Sequence, residues 1–473
     1  MPRADHTRVV FLSLVLAGIT FALSQTVVSP ALPEIQRQYG ADPASAAWIL
    51  TGYLLAASVA TPIVGKLGDL FGRGKVLTIV LLVFAAGSAV CALAPSLGVL
   101  VLGRVIQGAG GGIFPLAFGI IRETFPPERV ATAIGGISAT FGIGGGVGLV
   151  LAGLIVSALD ASWLFWLGLM ALPAAFAIWR FVPQEETRPG ARVDWAGAAL
   201  MSVSLAALLY GLSKANEWGW GSPRVLALSL GGLALAAFWG WFETKVDQPL
   251  VDMRVLRRRP VLMTNVTAVL VGFSMFASFL LIPQLAQTNT KFGYGFSASV
   301  TGAGLLMLPS TMVMLVAGPL AGRLATRVNS RLPLVIGTFS GMLAFVVYAL
   351  FHGSEWEICV GGALLGVGIG FSFASMANLI VEAVPREEVG VATGINTIMR
   401  SLGGALGAQL VASLLTAKTI TGTAIPSEAA YTDAFIVAAV AAGLAVVAAL
   451  AIPQTRRPQP QPQSVPSRAP AAA

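Results

Sequence analysis

The chain has 473 residues, 56% of them hydrophobic and only 11% charged, with a formal net charge of +8 and a mean hydropathy of +0.81. Soluble domains carry about 25% charged residues, so a soluble fold is excluded. Continuous apolar runs longer than about 18 residues exclude a β-barrel, whose strands are short and alternate, and leave a polytopic, all-α membrane protein.

Fourteen spans are expected, at roughly 9–31, 46–66, 76–95, 97–121, 130–158, 162–182, 194–213, 223–245, 259–288, 297–324, 331–351, 357–381, 388–417 and 431–452. The first is too long for the apolar core of a cleavable signal peptide. With both termini placed in the cytoplasm, 22 of the 29 Lys and Arg fall in inner segments, 5 in outer segments, and 2, Arg104 and Arg400, inside spans. Basic residues concentrate on the cytoplasmic side of membrane proteins, so this bias sets the orientation and removes any need for a nucleic-acid partner. Cys91 and Cys359 fall in or beside apolar runs and read as small core residues.

The chain repeats itself. Pro62-Ile-Val-Gly65-Lys66-Leu67 recurs as Pro319-Leu-Ala-Gly322-Arg323-Leu324, an offset of 257. Pro126-Pro-Glu128-Arg-Val130 recurs as Pro385-Arg-Glu387-Glu-Val389, and the Gly142–Gly148 run as Ser401–Gly407, both at 259. Two parallel six-helix halves are expected, 1–185 and 259–452, with an inserted helix pair and linker at 186–258 and a disordered, cytoplasmic, Pro/Gln-rich tail at 453–473.

In chain order, the first span carries Ser24-Gln25-Thr26 and then Ala31-Leu32-Pro33-Glu34. Between spans 2 and 3 lies Gly65-Lys66-Leu67-Gly68-Asp69-Leu70-Phe71-Gly72-Arg73-Gly74-Lys75, a short, glycine-rich turn with one anion among cations. It forces tight antiparallel contact of two helices at one membrane face. Span 4 holds Arg104-Val-Ile-Gln107-Gly108, a costly intramembrane arginine and hence a functional candidate. Span 5 holds Gly142, Gly144, Gly148 and Gly153. Asp194-Trp195-Ala196-Gly197 opens span 7, and Gln248-Pro249-Leu250-Val251-Asp252-Met253-Arg254 follows span 8. Arg400, in span 13, reads either as a structural partner of a carbonyl or of an acid such as Glu382, or as an anion contact for substrate.

The Gly65–Lys75 stretch resembles motif A of the major facilitator superfamily along its whole length. The stretch from Arg104 resembles motif B, and the span 5 glycines resemble motif C, although Leu149 stands where that motif has proline. The residues opening span 7 and following span 8 resemble signatures of the fourteen-helix drug:proton antiporter branch. The likeness covers roughly residues 9–452.

The resemblance implies a conformational latch of Gly65, Gly68, Asp69, Gly72, Arg73 and Lys75, with Asp69 meeting the N-terminal end of the thirteenth helix. The second-half copy has Thr326 in place of Asp69, so the latch is expected to be asymmetric. It further implies proton-coupled export, the proton gradient being the energy source and no cofactor being needed. Arg104 would assist proton transfer, and the glycines of span 5 would bend their helix.

One departure stands out: the branch's helix-1 acid is replaced by Ser24, and no Asp or Glu lies in the middle of any span. Glu34 and Asp69 are then the carboxylates left for coupling. The expected cavity is uncharged apart from arginine, with Ser24, Gln25, Gln107, Phe114, Gln284, Asn378, Asn396 and Arg400 as candidates. Neutral or anionic hydrophobic substrates are expected rather than organic dications.

No Walker A sequence, metal spacing or catalytic constellation is legible, and His6 and His352 are terminal or in a loop, so neither an ATP-driven pump nor an enzyme is expected. Export of a drug or secondary metabolite from a bacterial cytoplasm by a monomer is the leading reading. A metabolite transporter with atypical coupling and a degenerate transporter acting as a sensor are the others.

Overall fold

The computed structural model describes residues 3–41, 43–142, 144, 147–182, 193–421, 423 and 425–453. The segment 183–192 and the tail residues 454–473, expected as linker and disordered end, lie outside the described residues. Among the described residues, twenty α-helices follow one another. They are α1 (Arg3–Thr26), α2 (Val28–Tyr39), α3 (Pro43–Phe71), α4 (Arg73–Ala92), α5 (Leu97–Gln107), α6 (Ile113–Thr124), α7 (Pro127–Gly142), α8 (Gly148–Ala158), α9 (Trp163–Trp166) and α10 (Ala171–Phe181). Then come α11 (Trp195–Ser213), α12 (Ala215–Trp218), α13 (Pro223–Glu243), α14 (Met253–Leu256), α15 (Arg259–Gln287), α16 (Val300–Arg327), α17 (Arg331–Leu350), α18 (Glu355–Ala383), α19 (Val389–Ala417) and α20 (Glu428–Leu450).

Among the described residues, thirteen helical stretches are long and apolar enough to cross a bilayer. Three of them are compound: 3₁₀ turns at Gly108–Gly112 and Leu167–Met170 join α5 to α6 and α9 to α10, and a third, Arg386–Glu388, leads into α19. The fifth expected span, 130–158, departs from plain α-helix: it comprises α7 and α8 with π-helical backbone at Gly144 and Val147, and residues 143, 145 and 146 lie outside the described residues. The first span is also corrected: α1 stops at Thr26 and α2 restarts at Val28. The end of α1 meets the π-helical Gly144, whose carbonyl accepts from the Thr26 hydroxyl at 2.5 Å.

Burial follows position. The most hydrophobic stretch of α18 is 89% buried and that of α13 only 11%, so α18 is central and α13 peripheral. One apolar core gathers Leu14, Leu77, Phe84, Ile113 and Ile178 from α1, α4, α6 and α10. A second gathers Leu281, Phe345, Leu365 and Phe435 from α15, α17, α18 and α20. Between them, α3 packs on α19 and α7 on α16. These are repeat-related pairs, because α3 corresponds to α16 and α7 to α19. Glycines make both approaches possible: a Cβ on Gly65 would lie 2.5 Å from the Gly390 carbonyl oxygen, and one on Gly135 would strike the Gly318 carbonyl.

The α11–α13 pair packs against α3 and α19. The Asp194 carboxylate caps α11 by accepting from the Gly197 N–H at 2.8 Å. Glu243 accepts from Trp239 Nε1 at 2.9 Å and from the Val251 N–H at 3.2 Å, fixing the loop after α13.

Candidate functional site

Asp69 and Arg73 lie at adjoining ends of α3 and α4, joined by Gly72 at φ 93°. That backbone conformation favours glycine, since a side chain there would crowd the carbonyl. It turns Arg73 back over the last turn of α3, so that Arg73 Nη2 reaches Asp69 Oδ1 at 2.6 Å. The guanidinium lies where a Cβ on Gly119 would be, and it also pairs with Glu123.

The Asp69 carboxylate then crosses to the second half. Its Oδ1 accepts from the Gly390 N–H at 3.2 Å and its Oδ2 from the Val391 N–H at 3.1 Å. These N–H groups belong to the first turn of α19, which have no partners within the helix and sit at the positive end of its dipole. Arg73 Nη2 also donates to the Arg386 carbonyl at 2.5 Å. Arg122 donates to Val384 O at 3.0 Å, and Arg258 to Ala383 O at 3.1 Å. Lys66 donates to Pro249 O at 2.9 Å, tying the turn to the loop after α13. The two halves are thus closed at the face that carries Asp69. Lys75 is exposed and Gly68 packs on Leu116. In the second copy, Thr326 donates within its own helix, to Arg323 O at 2.7 Å.

Arg104 is fully buried. Its Nε donates to Ile49 O at 3.2 Å, and Nη1 donates to Ser24 O at 3.1 Å and Gln107 Oε1 at 2.7 Å. Gln107 in turn donates to Ser88 Oγ at 2.6 Å, and the Tyr53 ring lies 3.9 Å from the Arg104 Cζ. At the position of the missing acid, the Ser24 main-chain carbonyl meets the guanidinium. Glu34 is elsewhere: on α2, paired with the exposed Arg37 one turn on.

A cavity of about 610 Å³ lies away from the Asp69 face. Gln25 and Thr26 at the end of α1, Leu50, Tyr53 and Leu54 in the first half of α3, and Phe141 line one side. Met275, Phe276, Phe279, Pro283, Gln287, Met307, Ser310, Thr311 and Met314 line the other. No Asp or Glu is among its lining residues. Such a wall, aromatic and methionine-rich with a few polar groups, suits varied apolar ligands.

Of the expected cavity residues, Gln25 stands on this wall. Ser24 and Gln107 are buried in the Arg104 network. Phe114 lies behind the wall, stacked on Phe141 at 4.2 Å between centroids. Gln284 is exposed on α15. Asn378 lines a second cavity, of about 450 Å³ beside Arg122, Glu123 and Glu382, and donates to Ala131 O at 3.3 Å. Asn396 donates to Asn265 Oδ1 at 2.9 Å. Among the described residues Arg400 meets no acid; its Cζ lies 4.3 Å from the Phe373 ring and 5.2 Å from that of Phe141. The span 5 glycines serve packing: a Cβ on Gly144 would lie 2.5 Å from Ala22 O, one on Gly142 3.1 Å from Met314 Sδ, one on Gly153 2.8 Å from Thr301 Oγ1, and one on Gly148 would strike Thr26. Sequence reasoning missed Tyr53 and the methionines; the clustering of Met307, Met312 and Met314 on one helix was the signal available.

Residues 14–408 match the sequence family described as the Major Facilitator Superfamily. The chain belongs to that superfamily, and its fold is a major facilitator fold with many membrane-spanning helices. It is 30% identical to the Tetracenomycin C resistance and export protein of Streptomyces glaucescens over 419 residues, 86% of this chain and 76% of that protein. Multidrug resistance protein 3 of Bacillus subtilis is 28% identical over 416 residues, 87% of this chain and 80% of that one. The crystal structure of the human organic anion transporter MFSD10 (TETRAN) superposes with a TM-score of 0.67 at 18% identity, covering 95% of this chain and 100% of that one, a likeness of fold alone.

Proposed function

We propose that this protein exports hydrophobic drugs or secondary metabolites across a bacterial cytoplasmic membrane by alternating access, coupled to proton influx. One observation carries the reading: the halves are latched together at the Asp69 face, while the cavity between them lies toward the opposite face. With the Asp69 face and both termini in the cytoplasm, this is the outward-facing state, and the 1–185 and 259–452 halves are the bodies that rock about the cavity. The names of the bacterial relatives, which speak of multidrug resistance and of export, support the direction. A single chain encloses the cavity, so a monomer suffices.

Asp69 is the carboxylate we assign to coupling. Protonation would remove its attraction to Arg73 and to the first turn of α19, and so open the cytoplasmic face. Arg104 positions the cavity wall through Tyr53 rather than pairing with an acid. Ser24 favours a second reading, transport of a metabolite with atypical coupling.

The test is expression in an efflux-deficient bacterium challenged with a panel of hydrophobic antibiotics. Raised resistance to some of them, abolished by dissipating the proton gradient, is expected. Unchanged susceptibility across the panel contradicts export, and resistance that survives the loss of the gradient contradicts proton coupling.

A further inference from the structure

Arg400 stands near the middle of α19, between the two halves, yet among the described residues no carboxylate and no hydrogen-bond acceptor meets its guanidinium. Arg104 offers the contrast, since two main-chain carbonyls and Gln107 hold it. Two rings stand beside the Arg400 guanidinium, Phe373 at 4.3 Å and Phe141 at 5.2 Å from Cζ. Rings of this kind steady a guanidinium through its face and leave its N–H edge free. Phe141 is also part of the cavity wall, and Arg400 keeps part of its surface accessible. A charge in so apolar a place is costly unless something neutralises it. The cavity's own polar groups, Gln25, Thr26, Gln287 and Ser310 among them, include no acid to do so.

We infer that Arg400, with Phe141 and Phe373, is the anion subsite of the substrate cavity, and that the favoured substrates are amphiphilic organic acids. A carboxylate or phenolate seats on the free guanidinium edge, where a planar fork matches a carboxylate in two parallel hydrogen bonds. The apolar body lies among Met275, Met307 and Met314. This deepens the export reading and depends on it only for direction. It also accounts for the absent membrane carboxylates. An anion leaving an inside-negative cell moves down the membrane potential, whereas an organic cation moves against it and needs a buried acid to carry it.

The test is equilibrium binding to the full-length protein in nanodiscs of neutral phosphatidylcholine, so that no lipid headgroup supplies the anion. The probes are 4-(pyren-1-yl)butanoate and its uncharged amide, corrected for empty discs. The wild type should prefer the acid by about tenfold or more. Arg400→Gln should bring the ratio to about one with amide affinity unchanged, and Arg400→Lys, which keeps the charge but loses the fork, should fall between. Because Arg400 has no hydrogen-bond or ion-pair partner among the described residues, Arg400→Gln should not lower the melting temperature by more than the loss of its ring contacts; Arg400→Met serves as the second neutral variant should Gln fold poorly. A ratio near one in the wild type, including failure of both probes to bind, overturns the subsite. So does a wild-type ratio kept in a neutral variant. Drug export is read separately in cells: a wild type without acid preference but with export intact contradicts the subsite alone, and acid preference without any export contradicts the export reading alone.

Discussion

The Asp69 carboxylate accepts the Val391 main-chain N–H at 3.1 Å, across 322 positions of sequence and between the two halves of the bundle. The Gly390 N–H and Arg73 complete its shell. Net, a hydrogen bond to a charged group contributes about 1.5–3 kcal/mol. Such a contact is strong enough to set which face of the protein is closed and weak enough to be broken each cycle. Its repeat-related counterpart, α7 on α16, has packing, with Thr326 at the position of Asp69.

Closure at that counterpart contact rests on bare backbone. A side chain on Gly135 would strike the Gly318 carbonyl, and overpacking of this kind costs about 1–3 kcal/mol. Gly135→Val should therefore favour the state open at the Asp69 face. Maleimide labelling of a cysteine placed at Gln25 on the cavity wall, applied from the opposite face, should slow by about tenfold, a free-energy change of 1.4 kcal/mol or so. Unchanged labelling would show that the α7–α16 contact does not set the closed state.

Arg104 supports its surroundings as well as the cavity. Replacing it with Met leaves Gln107 Oε1, Ser24 O and Ile49 O without its donors. A buried group left unsatisfied costs about 1–3 kcal/mol. The melting temperature should fall by about 5 °C or more, and Arg104→Lys should restore part of it, since one ammonium cannot reach all three acceptors. A melting temperature equal to that of the wild type would confine Arg104 to transport alone.

Glu34 has the right charge in the wrong place. It is paired with an exposed Arg37 at one face, and surface pairs of this sort contribute about 1 kcal/mol or less. A coupling acid must change partners as the halves rock, and the partner of Glu34 lies on its own helix. Glu34→Gln should leave the pH profile of export unchanged, measured in vesicles with an imposed pH step. A flattened profile would return Glu34 to the coupling mechanism.

Much of the architecture was legible because the bilayer dictates it. Apolar runs marked nearly every membrane helix, and the offsets of 257 and 259 marked the pairs that meet between the halves. Asp69 could be placed because a carboxylate in a basic, glycine-rich turn has few uses other than a helix N-terminus. The break at Val27 and the π-helical winding at Gly144 and Val147 were hidden, since apolar runs carry no sign of where the backbone departs from α-helical winding. They depend on the meeting of Thr26 with Gly144 across two helices. The cavity wall was read less well. Composition showed that it lacks acids, but whether Gln107 or Asn396 faces the cavity or a buried neighbour depends on helix rotation. Each found a side-chain partner instead, in Arg104 and Asn265.

The latch is tested most directly by the distance between spin labels on α3 and α19, placed near the Asp69 face and read by pulsed electron paramagnetic resonance. In the wild type a short separation should dominate. Asp69→Asn, which loses the carboxylate charge facing Arg73 and the α19 N-terminus, should shift about tenfold of the population ratio toward a longer one, the effect of roughly 1.4 kcal/mol. Thr326→Ala should change nothing. Equal shifts in the two variants, or none in Asp69→Asn, would contradict an asymmetric latch closed by Asp69.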